Sequence, residues 1–97
     1  MADEKRVREV LIEVLKEVQS MSGRRWTDIE MHMAPIGVLD GFDSQSGIEA
    51  TVMIEEKLSC ELPVDSIFVS EDGQRALTVK QIAERVKGLL DKEGGRQ

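Results

Sequence analysis

Ser44 is the side chain of this 97-residue chain best placed for chemistry. It follows Asp43, and a helical repeat begins directly after the pair. Aspartate is a favoured N-cap, because its carboxylate accepts from an amide that the first helical turn leaves open. A hydroxyl one step later therefore sits at a helix N-terminus, where unbonded N–H groups and the helix dipole favour negative charge. Such a hydroxyl suits the bearing of an anionic group, and a loop-to-helix junction keeps it within reach of an enzyme. Taken alone, a serine here is an ordinary helix-start residue. The neighbouring Ser46 is expected to assist the helix start by hydrogen-bonding near Asp43.

The other reactive side chains form weaker patterns. His32 is the single histidine, and a triad of Ser44, His32 and Asp40 can be drawn. Nothing in the sequence builds an oxyanion hole for it, so no residue is assigned a catalytic role. Cys60 is the single cysteine. It excludes an internal disulfide, fits a reducing cytoplasmic setting, and reads as a small buried hydrophobe. Asp40 to Glu49 carries acids near a glycine but lacks the alternating ligands of a calcium loop, so no metal site is assigned. Arg24-Arg25-Trp26 reads as a surface cluster beside a packed tryptophan.

Composition narrows the partners. The formal net charge is −6. An acidic surface repels nucleic acid and anionic lipid headgroups and favours partners with basic patches. No stretch approaches a membrane span, and the charged start has no secretory core. Only Trp26, Phe42 and Phe68 are aromatic, so Leu, Ile, Val and Met must fill the core. That composition suits packed helices better than strands. The length favours a single domain over residues 1–97, with its core at about 4–91 and a frayed tail over 92–97.

Three main helices must position Ser44. The first runs from about Asp3 to Met21, with Val7, Val10, Leu11, Val14, Leu15, Val18 and Met21 as one apolar stripe and Gly23 as its stop. Residues 24–43 form a long connection, in which Thr27 and Glu30 have capping-box spacing. Pro35, Gly37 and Gly41 oppose a long helix there. Met31, Met33, Ile36, Val38, Leu39 and Phe42 are expected to add to the core. The second main helix begins at Asp43 or Ser44 and ends near Ser59 or Cys60. Ala50, Ile54 and Leu58 face its core, and Ile48 and Val52 form a surplus apolar stripe. A short helical turn is expected over Asp65 to Val69, with Ile67 and Phe68 inward, and then an exposed loop over Ser70 to Ala76. The last helix opens on a Thr78–Gln81 capping box with a Leu77–Ile82 staple. Val79, Ile82, Ala83, Val86 and Leu90 form its stripe. The fold class is all-α: a small bundle of three main helices plus a short helix, with a long loop between the first two.

The stretch GFDSQSGIEATVMIEEKL, from Gly41 to Leu58, resembles the modification site and second helix of acyl carrier proteins. The family's Asp-Ser is similar to Asp43-Ser44, its first helical acid to Glu49, and its acidic pair to Glu55-Glu56. Glu61-Leu62-Pro63-Val64-Asp65 looks like the family's following turn, and Thr78-Val79 looks like the opening of its last helix. The resemblance covers roughly Val7 to Leu90. It implies a non-enzymatic carrier bearing a 4'-phosphopantetheine arm on Ser44, beside the Asp43 cap. The arm would hold acyl or aminoacyl cargo as a thioester for fatty-acid, polyketide or related biosynthesis. The implied partners are a phosphopantetheinyl transferase, an acyl- or aminoacyl-loading ligase, and downstream synthase or transferase enzymes with basic docking patches. Gln45, Ile48, Glu49, Val52, Glu55 and Glu56 are the implied docking residues. A shuttling carrier is by default a monomer. Two departures point to a specialised carrier with dedicated partners: Gln45 replaces the usual Leu, and Ser66 to Ala76 is longer than in a housekeeping fatty-acid carrier. Gln45 also motivates the alternative of an unmodified carrier-like protein-interaction module.

Overall fold

The computed structural model describes residues 4–24 and 28–94. Its elements are α1 (Glu4–Met21), a short α2 (Pro35–Val38), α3 (Ser44–Leu58) and α4 (Val79–Gly94). α1 packs against both α3 and α4, giving the expected small all-α bundle. No described helix is long and apolar enough to cross a membrane. Four readings fall on Asp3, Arg25, Trp26 and Thr27, which lie outside the described residues, as do 95–97 of the expected tail. The rest of that tail, to Gly94, continues α4 as helix.

α1 buries Val7, Val10, Leu11, Val14, Leu15 and Val18, as its periodicity requires. Met21 departs from the stripe and is 77% exposed. The helix closes there in a Schellman motif: Gly23 takes φ 67°, its N–H donates to Ser20 O, and Arg24 N–H donates to Gln19 O. The stripe's last inward position is instead Gln19, which is fully buried and donates from Nε2 to Asp40 O at 2.7 Å.

The short helix lies in the first long connection, not between α3 and α4. It is a single kinked turn, extended at Ile36 and left-handed at Gly37 (φ 99°), a conformation that glycine adopts without strain. The kink turns Leu39 and Phe42 into the core and leaves Val38 56% exposed, against expectation. Ile29, Met31, Met33 and Ile36 pack against the core from the same connection. Phe42 meets Phe68 with ring centroids 5.3 Å apart at a tilt of 56°.

Residues 65–69 form no helical turn. Ile67 and Phe68 point inward and are fully buried, but their amides bond elsewhere. Ile67 N–H donates to the Thr51 hydroxyl at 3.1 Å, and Phe68 N–H donates to Ser66 Oγ at 3.2 Å. Val69 pairs with Ala76 in an isolated antiparallel bridge, Leu77 N–H donates to Phe68 O, and Ser70 N–H donates to Arg75 O. With the Ile67 amide taken by α3, the Phe68 amide by a side chain two residues back and Val69 held in the bridge, no helical hydrogen bonds form here. Asp72 closes the exposed turn by accepting from Ser70 Oγ and Gln74 N–H.

The capping box of α4 forms as its spacing requires. Thr78 N–H donates to Gln81 Oε1 at 2.9 Å, and Gln81 N–H donates to Thr78 Oγ1 at 3.2 Å. The intervening amides of Val79 and Lys80 donate to Met33 O and Met31 O. The first long connection thus closes the start of α4.

Candidate functional site

Ser44 is the first residue of α3, and its side chain is exposed. Asp43 precedes it in an extended conformation and acts as the N-cap. One Asp43 carboxylate oxygen accepts from Ser46 N–H at 2.9 Å and from Ser46 Oγ at 3.1 Å. These two hydrogen bonds, with the Arg24 charge adding to them, hold the Asp43 carboxyl below the usual aspartate range. Ser46 is 3% exposed and serves the helix start, as expected. The N–H groups of Ser44 and Gln45 meet no acceptor among the described residues.

Gln19, missed in the sequence, and Arg24, read there as part of a surface cluster but half-buried, build this corner. Gln19 ties the end of α1 to the carbonyl of Asp40. Arg24 lies against Gly41 and donates from Nη1 to Ser46 Oγ at 3.1 Å. A Cβ at Gly41, whose φ is 65°, would stand 2.8 Å from Arg24 Nε, so glycine is needed both for its conformation and for the approach of Arg24. Gln19 did leave a sequence signal: it continues the Leu11–Leu15 spacing as a polar residue on an apolar stripe. Arg24 left none, because its partner is set by the tertiary turn.

The implied docking residues occupy one outer face of α3. At about 100° per residue, positions 44, 45, 48, 49, 52, 55 and 56 fall within about 140° of arc. Ile48 and Val52 are 39% and 50% exposed, and Gln45, Glu49 and Glu56 are exposed. Glu55 differs: it is half-buried, and one of its oxygens accepts from Leu62 N–H at 2.7 Å, fixing the chain beyond the helix. The one cation between Asp40 and Asp65 points away. Lys57 reaches back to Glu13 at 3.0 Å and Glu17 at 3.6 Å on α1. The outer face therefore keeps its acids unneutralised by its own helix.

Two surface grooves flank this face. One of about 410 Å³ opens at Ser44 and Ile48 and runs under the 64–73 segment to Arg85. The other, of about 620 Å³, joins Val52, Glu55 and Glu56 to Ser59–Leu62. Cys60 lines the second groove, and burial, with Glu55 adding, pushes its thiol up and away from reactivity. His32 is not brought to Ser44. It lies in a separate groove with Thr78, Lys80 and Glu84, and it pairs with Glu30 at 3.3 Å.

No family model matches the chain, and no curated protein or solved structure matches it at a significant level.

Proposed function

We propose that this chain is a carrier protein of the acyl carrier type that bears a 4'-phosphopantetheine arm on Ser44. The observation that carries this reading is the Ser44 hydroxyl, exposed at the first position of α3 directly behind the Asp43 cap. The residues present fit the arm. The hydroxyl is accessible for a phosphodiester, two unbonded amides lie beside it, and an open groove gives the arm room. When bound, the arm supplies the thiol that holds acyl or aminoacyl cargo.

The protein's own part is presentation, without catalysis. Glu49 and Glu56, with Glu55 partly engaged, steer the basic patches of a transferase, a loading ligase and downstream synthases towards α3. Ile48 and Val52 offer a small apolar contact between the acids. Rim charges act chiefly on the rate and orientation of encounter, which suits a monomeric shuttle that must also dissociate. The cytoplasm is the proposed setting, consistent with a chain that has a single cysteine.

Intact-mass measurement after incubation with coenzyme A and a permissive transferase tests the reading. Wild type should gain one phosphopantetheine, and Ser44→Ala should gain none. A wild type that stays unmodified with several transferases would instead favour the interaction-module reading, for which the exposed Gln45 beside the serine is the motive.

A further inference from the structure

Arg24 touches the chain on both sides of Ser44. Its Nη1 donates to Ser46 Oγ at 3.1 Å, just beyond the serine, and its Nε lies over Gly41, just before it. Ser46 Oγ in turn donates to an Asp43 carboxylate oxygen at 3.1 Å, and the Ser46 amide donates to the same oxygen at 2.9 Å. One guanidinium thus fastens the cap of α3 to the end of α1. Ser46 is buried and Arg24 half-buried, so water competes weakly for the hydrogen bond between them.

The backbone aims Arg24 at this place. Gly23, at φ 67°, turns the chain at the end of α1, and the Arg24 amide donates to Gln19 O at 2.8 Å. Gln19 Nε2 holds Asp40 O at 2.7 Å, so the end of α1 grips positions 40, 41 and 46 together. A helix start does not need such a grip. The Thr78–Gln81 box starts α4 with two reciprocal hydrogen bonds and no cation across it. Ordering an arginine side chain forfeits rotamer freedom, a cost that the α4 start avoids.

We propose that Arg24 is a positioning residue for the modification of Ser44: by holding Gly41 and Ser46 at once, it fixes the direction in which the Ser44 hydroxyl is presented to a transferase. This rests on the carrier reading. In that transfer the Ser44 oxygen bonds to the phosphorus of coenzyme A nearer to pantetheine. The pyrophosphate bond to the adenosine half breaks, the adenosine-bearing phosphate leaves, and the hydroxyl proton passes to a base of the transferase. In-line attack depends on where the oxygen stands, so a loosened serine slows the chemical step. Docking falls to the outer face of α3. Loss of Arg24 therefore acts on kcat, and removal of a cation beside an acidic face would by itself favour encounter with a basic partner.

Steady-state modification of the full chain by coenzyme A and a permissive transferase tests this, with wild type, Arg24→Met, Ser46→Ala and the double variant. Methionine keeps an apolar stem and removes the fork. Ser46→Ala removes the acceptor and keeps the amide that bonds to Asp43. Each variant is assayed where its amide spectrum shows the folded bundle, so that lost stability alone leaves kcat at the wild-type value. Each single variant should lower kcat by about three- to tenfold, with KM for the carrier unchanged or lower. The double variant should be no slower than Ser46→Ala, because both changes remove one contact. Arg24→Lys, which keeps the charge and a donor for Ser46 Oγ, should recover part of the loss. Where Arg24→Met does not fold, Ser46→Ala reads the same contact from its other end. A wild-type kcat in either folded single variant, losses that multiply in the double variant, or a raised KM at unchanged kcat would overturn the positioning role and leave the carrier reading standing. A wild type that no transferase modifies would overturn both.

Discussion

The two helices that follow long connections begin in opposite ways. At α4 every early amide has an acceptor: the Thr78–Gln81 box takes two, and Met33 O and Met31 O take those between. At α3 the Asp43 cap takes only the third amide, and those of Ser44 and Gln45 face outward. The closed start has a structural task, holding the first connection against the bundle. The open start lacks that task, and it is the one that presents a hydroxyl. An unsatisfied exposed amide costs little because water serves it, so an open start is tolerated where a ligand is to come.

Substitutions at each start separate the two. The most costly substitution lies under the open start. Thr51 Oγ1 donates to Gly47 O and accepts from the buried Ile67 N–H, joining α3 to the wall of the Ser44 groove. Thr51→Val should cost about 1–3 kcal/mol in urea unfolding, because it leaves a buried amide without a partner. Equal stability of this variant and wild type would show that the wall is held in another way.

At the closed start, Thr78→Ala should cost about 1 kcal/mol, the usual loss of a helix cap. It should leave the rate of Ser44 modification unchanged. A slowed modification would mean that the two starts are coupled, and the contrast would fail.

The smallest effect separates the starts by pH. Hydrogen bonds from Ser46 depress the Asp43 carboxyl, so its contribution to stability is present above the ordinary aspartate range and is lost as pH falls through the lowered value. The α4 box contains no titrating group. The Ser46 amide resonance should therefore shift at a pH below the ordinary aspartate range, and that of Gln81 should not follow. Asp43→Asn should remove the Ser46 transition.

The helices were legible because each carries its own periodicity. Val7 to Val18 and Val79 to Val86 mark buried faces directly, and the Thr78–Gln81 spacing marks a start that forms as read. Asp43, Ser44 and Ser46 were legible for the same reason, since capping is local. What escaped depends on chain segments far apart in sequence. Gln19 is buried because Asp40 O waits for it, and Arg24 reaches Ser46 only because Gly41 lets it pass. Val38 and Met21 have core-like side chains, but a glycine turn beside each reverses the chain and leaves them in solvent. The 65–69 stretch has a plausible helical pattern, yet Thr51 and the bridge to Ala76 claim its backbone groups. The Arg85 groove is tertiary throughout, and no local spacing announces it.

The carrier reading requires that Ser44, and not Ser46, be the hydroxyl used at the open start. Fragment-ion mapping of wild-type protein treated with coenzyme A and a transferase resolves Ser44 from Ser46 within one peptide. A phosphopantetheine confined to Ser44 is the expected result. A phosphopantetheine on the buried Ser46, or on neither serine, would mean that Ser44 is not the attachment site.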